Sequence, residues 1–395
     1  MTSQIAVFNP LGVAVASDTV TTISSSRGIK TTSNAQKIWP LPEPHLLVII
    51  ESGSAVSNGV HTQLLINEWS RTLTGPLPTV GDYAKSFADW FATISEIFPK
   101  ESELGEVHWQ LNDHYLEVKR RVEMDAAHAE TQEEVAAILH NHSHAALEWL
   151  QQLELFQGVV DDDDVELLKE LDIDLNEKID YIFNGFPGLD EVRETLLKCA
   201  PLVLSRIQDT GADTDLGFIG FGEKDYFATS IRLRCRARYG KTARLTIADA
   251  FGASAEDQSG SIACFAQDNA IFGFLRGAQY DLMDSAYRYI WSAMTDDGLT
   301  DDEDKLAHAR TFLEGLRDHV GKIQFERYVS PMLDTIGSLS LIDVASLARS
   351  LVGMQAIRSA ASPEPASVGG FIESLVIDRT HGIRWIHRLP QIVVE

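Results

Sequence analysis

Apolar residues fall in short runs at both ends of this chain and on a 3.6-residue beat through most of its middle. Residues 5–8 and 13–16 are two short apolar runs around Asn9-Pro10-Leu11-Gly12. Asn, Pro and Gly each favour turn backbone, so the pair predicts a hairpin. Residues 36–38 and 46–50 predict two further strands, with the small residues Ser52-Gly53-Ser54-Ala55 as a loop. Residues 56–73 predict a helix. Behind it Val80, Tyr83, Ala84, Phe87, Phe91, Ile94 and Phe98 hold a helical stripe with Thr79 as its cap.

From residue 99 to about 213 the pattern is helical and acidic, with candidate helices at 111–124, 133–156, 165–171 and 189–207. Strand character returns at 217–222, 229–237, 243–248 and 270–275. A second helical block fills 279–335, with Thr300 and Glu303 spaced as a capping box, and a helix follows over 341–360. Val368-Gly369-Gly370 then turns into a strand at 372–377. The blocks 99–213 and 279–335 are expected to be insertions in a single domain covering 1–395.

The chemistry is concentrated at the start. Once Met1 is trimmed, as is ordinary before a small second residue, Thr2 presents an α-amine beside its own hydroxyl. A hydroxyl is a weak nucleophile until a neighbouring base takes its proton, and an N-terminal Thr holds nucleophile and base in one residue. Taken singly, Thr2 is an ordinary second residue, Asp18 a turn residue and Lys37 a solvated strand lysine. Their joint order carries more.

Thr2, Gly12, Asp18, Lys37 and Gly53 on this strand pattern resemble the start of proteasome β-subunits, a family of N-terminal-nucleophile hydrolases. Ten positions separate Thr2 from Gly12 and sixteen separate Thr2 from Asp18, as in that family, although three extra residues lie between Asp18 and Lys37. Val368-Gly369-Gly370 resembles the family's Gly-Gly turn into a late strand. The resemblance implies an α+β fold: a four-layer αββα sandwich, two antiparallel sheets between helix layers, here with large helical insertions. It implies Thr2 as nucleophile, a cationic Lys37 favouring the ionised hydroxyl, and Asp18 holding Lys37 in place. A backbone N–H of Ser52 or Gly53 would meet the oxyanion that forms on attack. Where the family places a second Asp this chain has Ser359, and the loop 361–367 is longer, so Glu364 and Ser367 are the substitutes expected to order the Thr2 amine. The family's mid-chain Ser is replaced by the stretch Ala266-Gln267-Asp268-Asn269.

Composition narrows the partners. The formal net charge of −25 over 395 residues repels phosphate backbones, which argues against nucleic acid and anionic membrane. No apolar run approaches the ~20 residues that span a bilayer, and the start lacks a basic region leading into an apolar one, so the chain reads as cytoplasmic. Cys199, Cys235 and Cys264 share no metal or redox spacing and are expected as reduced thiols. His140 and His144 share a helix face but lack a completing ligand, so no metal and no cofactor are expected. The Asp161–Asp164 run and the acidic residues 296–304 lack calcium-loop spacing and read as solvated loops. Arg232, Arg234, Arg236 and Arg238 alternate along one strand and are expected to meet carboxylates of a neighbouring subunit or an insertion, with an acidic-substrate groove as the minor alternative. The expected function is threonine-type cleavage of amide bonds in peptides or proteins by a homo-oligomer, with an unfoldase or regulator as a further partner. Two alternatives stand beside it: a small-molecule amidohydrolase, and a non-catalytic proteasome-like structural subunit.

Overall fold

The structure is a computed structural model that describes residues 2–25, 28–94, 97–98, 100–159, 163–208, 213–239, 242–253, 259–295, 303–363 and 367–390. In chain order the first strands are β1 (Ser3–Asn9), β2 (Gly12–Asp18), β3 (Thr21–Ser25), β4 (Gly28–Thr32), β5 (Ile38–Pro40), β6 (Leu46–Gly53), β7 (Val56–Ser57) and β8 (Val60–His61). Helices α1 (Thr62–Ser70), α2 (Val80–Thr93), α3 (Lys100–Asp125), α4 (Gln132–Gln152), α5 (Asp163–Glu170), α6 (Leu175–Ile182) and α7 (Leu189–Ser205) follow. Strands β9 (Thr214–Phe221), β10 (Thr229–Tyr239), β11 (Thr242–Gly252) and β12 (Ser261–Ala266) lead to α8 (Asn269–Arg276), α9 (Tyr280–Thr295), α10 (Glu303–Gln324), α11 (Ser330–Ser338) and α12 (Leu341–Ala361). The hairpin β13 (Ile372–Asp378) and β14 (Gly382–His387) comes last.

This is a mixed α+β protein with antiparallel sheets. One five-stranded sheet runs β12-β1-β2-β13-β14 and a second runs β11-β10-β9-β6-β5. The β1–β2 hairpin forms because Asn9 Oδ1 accepts from the amides of Leu11 (3.0 Å) and Gly12 (3.2 Å), a side chain standing in for a backbone turn. Gly12 is required there, since a Cβ on it would lie 2.2 Å from the Ile377 carbonyl oxygen of β13.

Alternation along the strands divides the core. On β1, Ala6 and Phe8 face β6 and β9 residues Val48, Ile50 and Ile219, forming one apolar cluster between the sheets. Their neighbours Ile5 and Val7 face the other way and pack with Ile271 of α8 and Val344 and Leu351 of α12. The far face of the second sheet places Leu47, Ile49 and Phe218 against Trp69 of α1 and Tyr83, Phe87 and Phe91 of α2. Each such fully buried side chain contributes about 1.5–3 kcal/mol. Helices α3 to α7 build a separate cluster around Leu111, Tyr115, Leu139, Leu196 and Cys199 that reaches Ala237 and Tyr239 of β10.

Several elements differ from the sequence expectation. Residues 56–73 open with the β7–β8 hairpin, because Asn58 (φ 48°) and Gly59 (φ 74°) make a two-residue turn, and only then does α1 begin. Thr79 caps α2 in a capping box with Asp82, but the helix stops at Thr93 and leaves Ile94 and Phe98 beyond it. Residues 270–275 are helical rather than a strand, and the strand in that region is β12. A short apolar run does not distinguish the two, and Ile271 and Leu275 at i, i+4 share the buried face of α8. Helix α6 and strand β14 were not expected. Thr300 lies outside the described residues. Among the described residues no helix is long and apolar enough to cross a membrane.

Candidate active site

The hairpin, the Gly-Gly turn and the start of β5 converge on Lys37. Its Nζ donates to Thr2 Oγ1 (2.9 Å), Asp18 Oδ1 (2.8 Å) and the Val20 carbonyl oxygen (2.5 Å). An ammonium has three protons, and all three are directed. Thr2, Lys37 and Asp18 are 8%, 6% and 0% exposed. Asp18 also accepts from the amides of Ser3 (3.1 Å), Val20 (3.2 Å) and Gly369 (3.1 Å), so strand end, loop and Gly-Gly turn are fixed to one carboxylate. Burial draws the Lys37 ammonium toward its neutral form, opposed chiefly by the Asp18 carboxylate.

Two residues that sequence reasoning missed complete this centre. Gln4, fully buried, donates from Nε2 to Ser17 Oγ (3.2 Å), the Lys37 carbonyl (3.4 Å) and the Glu51 carbonyl (2.9 Å), tying β1 to the lead-in of β5 and to β6. The signal was available: Gln4 shares the inter-sheet face of β1 with Ala6 and Phe8, where a polar residue is out of pattern. Glu51 lies across from Lys37, its amide donating to the Lys37 carbonyl at 3.2 Å. Burial pushes the Glu51 carboxyl up to about 7, with the Trp39 indole and the Lys37 ammonium pulling the other way. Nothing in the sequence marks Glu51, because only the β5–β6 pairing places it beside Lys37.

Ser52 is buried at the end of β6 and Gly53 is exposed beside it. Gly53 has φ 82°, and a Cβ there would lie 2.1 Å from the Asp213 carbonyl oxygen, so only glycine fits. Ser54 N donates to that same carbonyl at 3.3 Å. Ser367 connects to Thr2 through an intermediary: its hydroxyl lies 3.4 Å from Gln267 Oε1, and Gln267 N donates to the Thr2 carbonyl at 2.9 Å. Ser359 accepts from the amides of Ser367 (2.9 Å) and Val368 (3.2 Å) and shapes the approach to the Gly-Gly turn. Glu364 lies outside the described residues.

The remaining features singled out in the sequence find partners away from Thr2. Arg234 pairs with Asp215 (2.9 Å) and Arg236 with Asp213 (3.1 Å), while Arg232 lies 4.8 Å over the Phe265 ring and Arg238 Nε donates to the Ala92 carbonyl at 3.0 Å. The arginine stripe is thus directed within its own chain, much of it to the segment leading into β9, and a bulge at Arg236 breaks the alternation. Asp164 is not solvated: it forms a buried ion pair with Arg244. Asp161, Asp162, Asp296, Asp297, Asp301 and Asp302 lie outside the described residues. His142 pairs with Asp125 (2.8 Å) and His144 meets Thr195 Oγ1 (3.3 Å). No cluster of potential metal ligands occurs among the described residues. The three cysteines are buried thiols, each pushed up to about 12 by desolvation.

No protein-family model and no curated protein matches the chain. Among solved structures it is similar to an Anbu (Gly-1) mutant from Hyphomicrobium sp. strain MC1, at 12% identity and a TM-score of 0.24, over 82% of this chain and 98% of that one. A score that low does not establish a shared fold.

Proposed function

We propose that the chain is a threonine-type N-terminal-nucleophile hydrolase that cleaves amide bonds in peptides or proteins after Met1 is removed. The observation that carries this is the Lys37 ammonium, 2.9 Å from Thr2 Oγ1 and 2.8 Å from Asp18 in a nearly closed site. Thr2 Oγ attacks the acyl carbon while its own α-amine takes the hydroxyl proton. The tetrahedral oxyanion collapses, the departing amine receives that proton, and an ester on Thr2 remains. Water, deprotonated by the same amine, then releases the acid and restores the hydroxyl. Lys37 stabilises the developing alkoxide, and Asp18 holds Lys37 there.

Gly53 supplies the oxyanion donor in this scheme. Amide directions alternate along a strand, and Glu51 N points toward Lys37, so Gly53 N two residues on points to the same side. Removing one such donor costs about 10²–10³ in rate. Ser367 and Gln267 bear on the Thr2 backbone and are the groups proposed to order the amine. The inter-sheet cluster and the two outer clusters support a four-layer αββα arrangement; in this reading 99–213 and 279–335 are insertions and the assembled form is a homo-oligomer. The test is direct. Thr2→Ser should retain partial hydrolysis of a peptide substrate, Thr2→Ala none, with both variants folded by circular dichroism; full activity in Thr2→Ala rules the proposal out.

A further inference from the structure

Arg236 does more than neutralise a carboxylate. The β10–β11 register steps from Cys235 opposite Leu245 to Ala237 opposite Arg244, which leaves Arg236 as the extra residue of a bulge. A bulge re-aims its side chain, and here the guanidinium turns inward. Its Nε donates to Asp213 Oδ1 (3.1 Å), Nη2 to the Gln208 carbonyl (2.6 Å) and Nη1 to the Arg206 carbonyl (3.3 Å), and it lies 5.1 Å over the Phe156 ring. The two side chains are 1% and 6% exposed. One buried fork therefore joins β10, the segment just past α7 and the residue that precedes β9.

That residue, Asp213, is also the floor of the Gly53 turn. Its carbonyl accepts from Ser54 N at 3.3 Å and sits where a Cβ on Gly53 would be. The next residue, Thr214, pairs with Gly53 and sends its hydroxyl to the Ser54 carbonyl. The Gly53–Ser54 turn is thus seated on the Asp213–Thr214 backbone, and the Asp213 side chain is held by Arg236. We propose that Arg236 is a positioning residue for the oxyanion-binding turn, coupling the helical segment α3–α7 to the chemistry at Thr2. The proposal rests on the acyl-transfer scheme above.

A guanidinium with a fixed fork satisfies three acceptors at once, and an ammonium in its place keeps the charge but loses the fork. Arg236→Lys should therefore lower kcat for amide hydrolysis about 10- to 100-fold, short of the roughly 10²–10³ lost when an oxyanion donor is removed outright, with KM within about twofold. Two probes on the full chain make this specific. A peptide β-lactone acylates Thr2 through an oxyanion and should slow in parallel with kcat. A peptide vinyl sulfone alkylates the Thr2 oxygen by addition across its double bond, forms no carbonyl oxyanion, and should react at the wild-type rate. Asp213→Ala cuts the same link from the other side and serves as the second variant if Arg236→Lys does not fold. Unchanged kcat in the variants, or equal slowing of both probes, overturns the positioning role. A wild-type protein that reacts with neither probe overturns the Thr2 scheme itself, which separates the two failures.

Discussion

Lys37–Asp18 at the mouth of the first sheet and Arg244–Asp164 beside the helical segment are both nearly closed to solvent, with side chains 7% and 0% exposed in the first pair and 1% each in the second. They differ in where the cation directs its protons. Arg244 also donates to the Leu204 carbonyl (3.0 Å) and the Thr242 hydroxyl (2.5 Å) and lies 4.5 Å over the Tyr239 ring. Every partner there is structural, and a guanidinium does not lose its proton. Lys37 gives one of its three protons to a hydroxyl, and burial draws it toward neutrality. Burial alone does not distinguish the two ion pairs; a titratable cation directed at a hydroxyl does.

The contrast predicts opposite balances of stability and activity. Arg244→Ala breaks a buried ion pair by removing its cation and should cost about 3–5 kcal/mol, read as a lowered urea midpoint. At the site the largest stability effect belongs to Glu51. Its carboxyl is raised from 4.5 to about 7 in the folded state, so the folded chain holds a proton that the unfolded chain releases between those values. The stability this contributes is present below pH 4.5 and is lost as pH rises to 7. Glu51→Gln removes that slope: it should match wild type near pH 4 and exceed it by up to about 3 kcal/mol at pH 8 in urea titrations. Parallel stability–pH curves for the two proteins would contradict the assignment.

Lys37→Met is the smallest of these in stability. Asp18 keeps its three backbone amide donors from Ser3, Val20 and Gly369, and an apolar chain of similar length fills the space. The melting midpoint should imply a loss below the roughly 3–5 kcal/mol of a broken buried pair, because those amides keep Asp18 satisfied, whereas hydrolysis should be lost. A Lys37→Met protein that loses as much stability as Arg244→Ala would make the two pairs equivalent and remove the distinction drawn here.

How much of this was visible in the sequence depends on whether the cause was local. The β1–β2 hairpin was legible because Asn9 and Gly12 act on their own turn, and the α2 start because Thr79 and Asp82 cap within one helical turn. The grouping of Thr2, Asp18 and Lys37 was expected only through the resemblance to the start of proteasome β-subunits, and Lys37 Nζ joins the other two. Gln4 and Glu51 depend on which strand lies beside which, and no local rule supplies that. The arginine stripe read as one face because a bulge has no signature in alternation, and Asp164 read as solvated because its partner is 80 residues away. Helix α8 read as a strand because eight residues carry too few turns to declare a period.

The central claim is that Thr2, freed of Met1, is the nucleophile. Intact-mass spectrometry before and after treatment with a threonine-directed acylating inhibitor tests it most directly. The starting mass should lack Met1, and the treated protein should carry one added acyl group, mapped by peptide fragmentation to Thr2 and absent from Thr2→Ala. A protein that retains Met1 on nearly all molecules, or one that is acylated elsewhere while Thr2 stays unmodified, would contradict it.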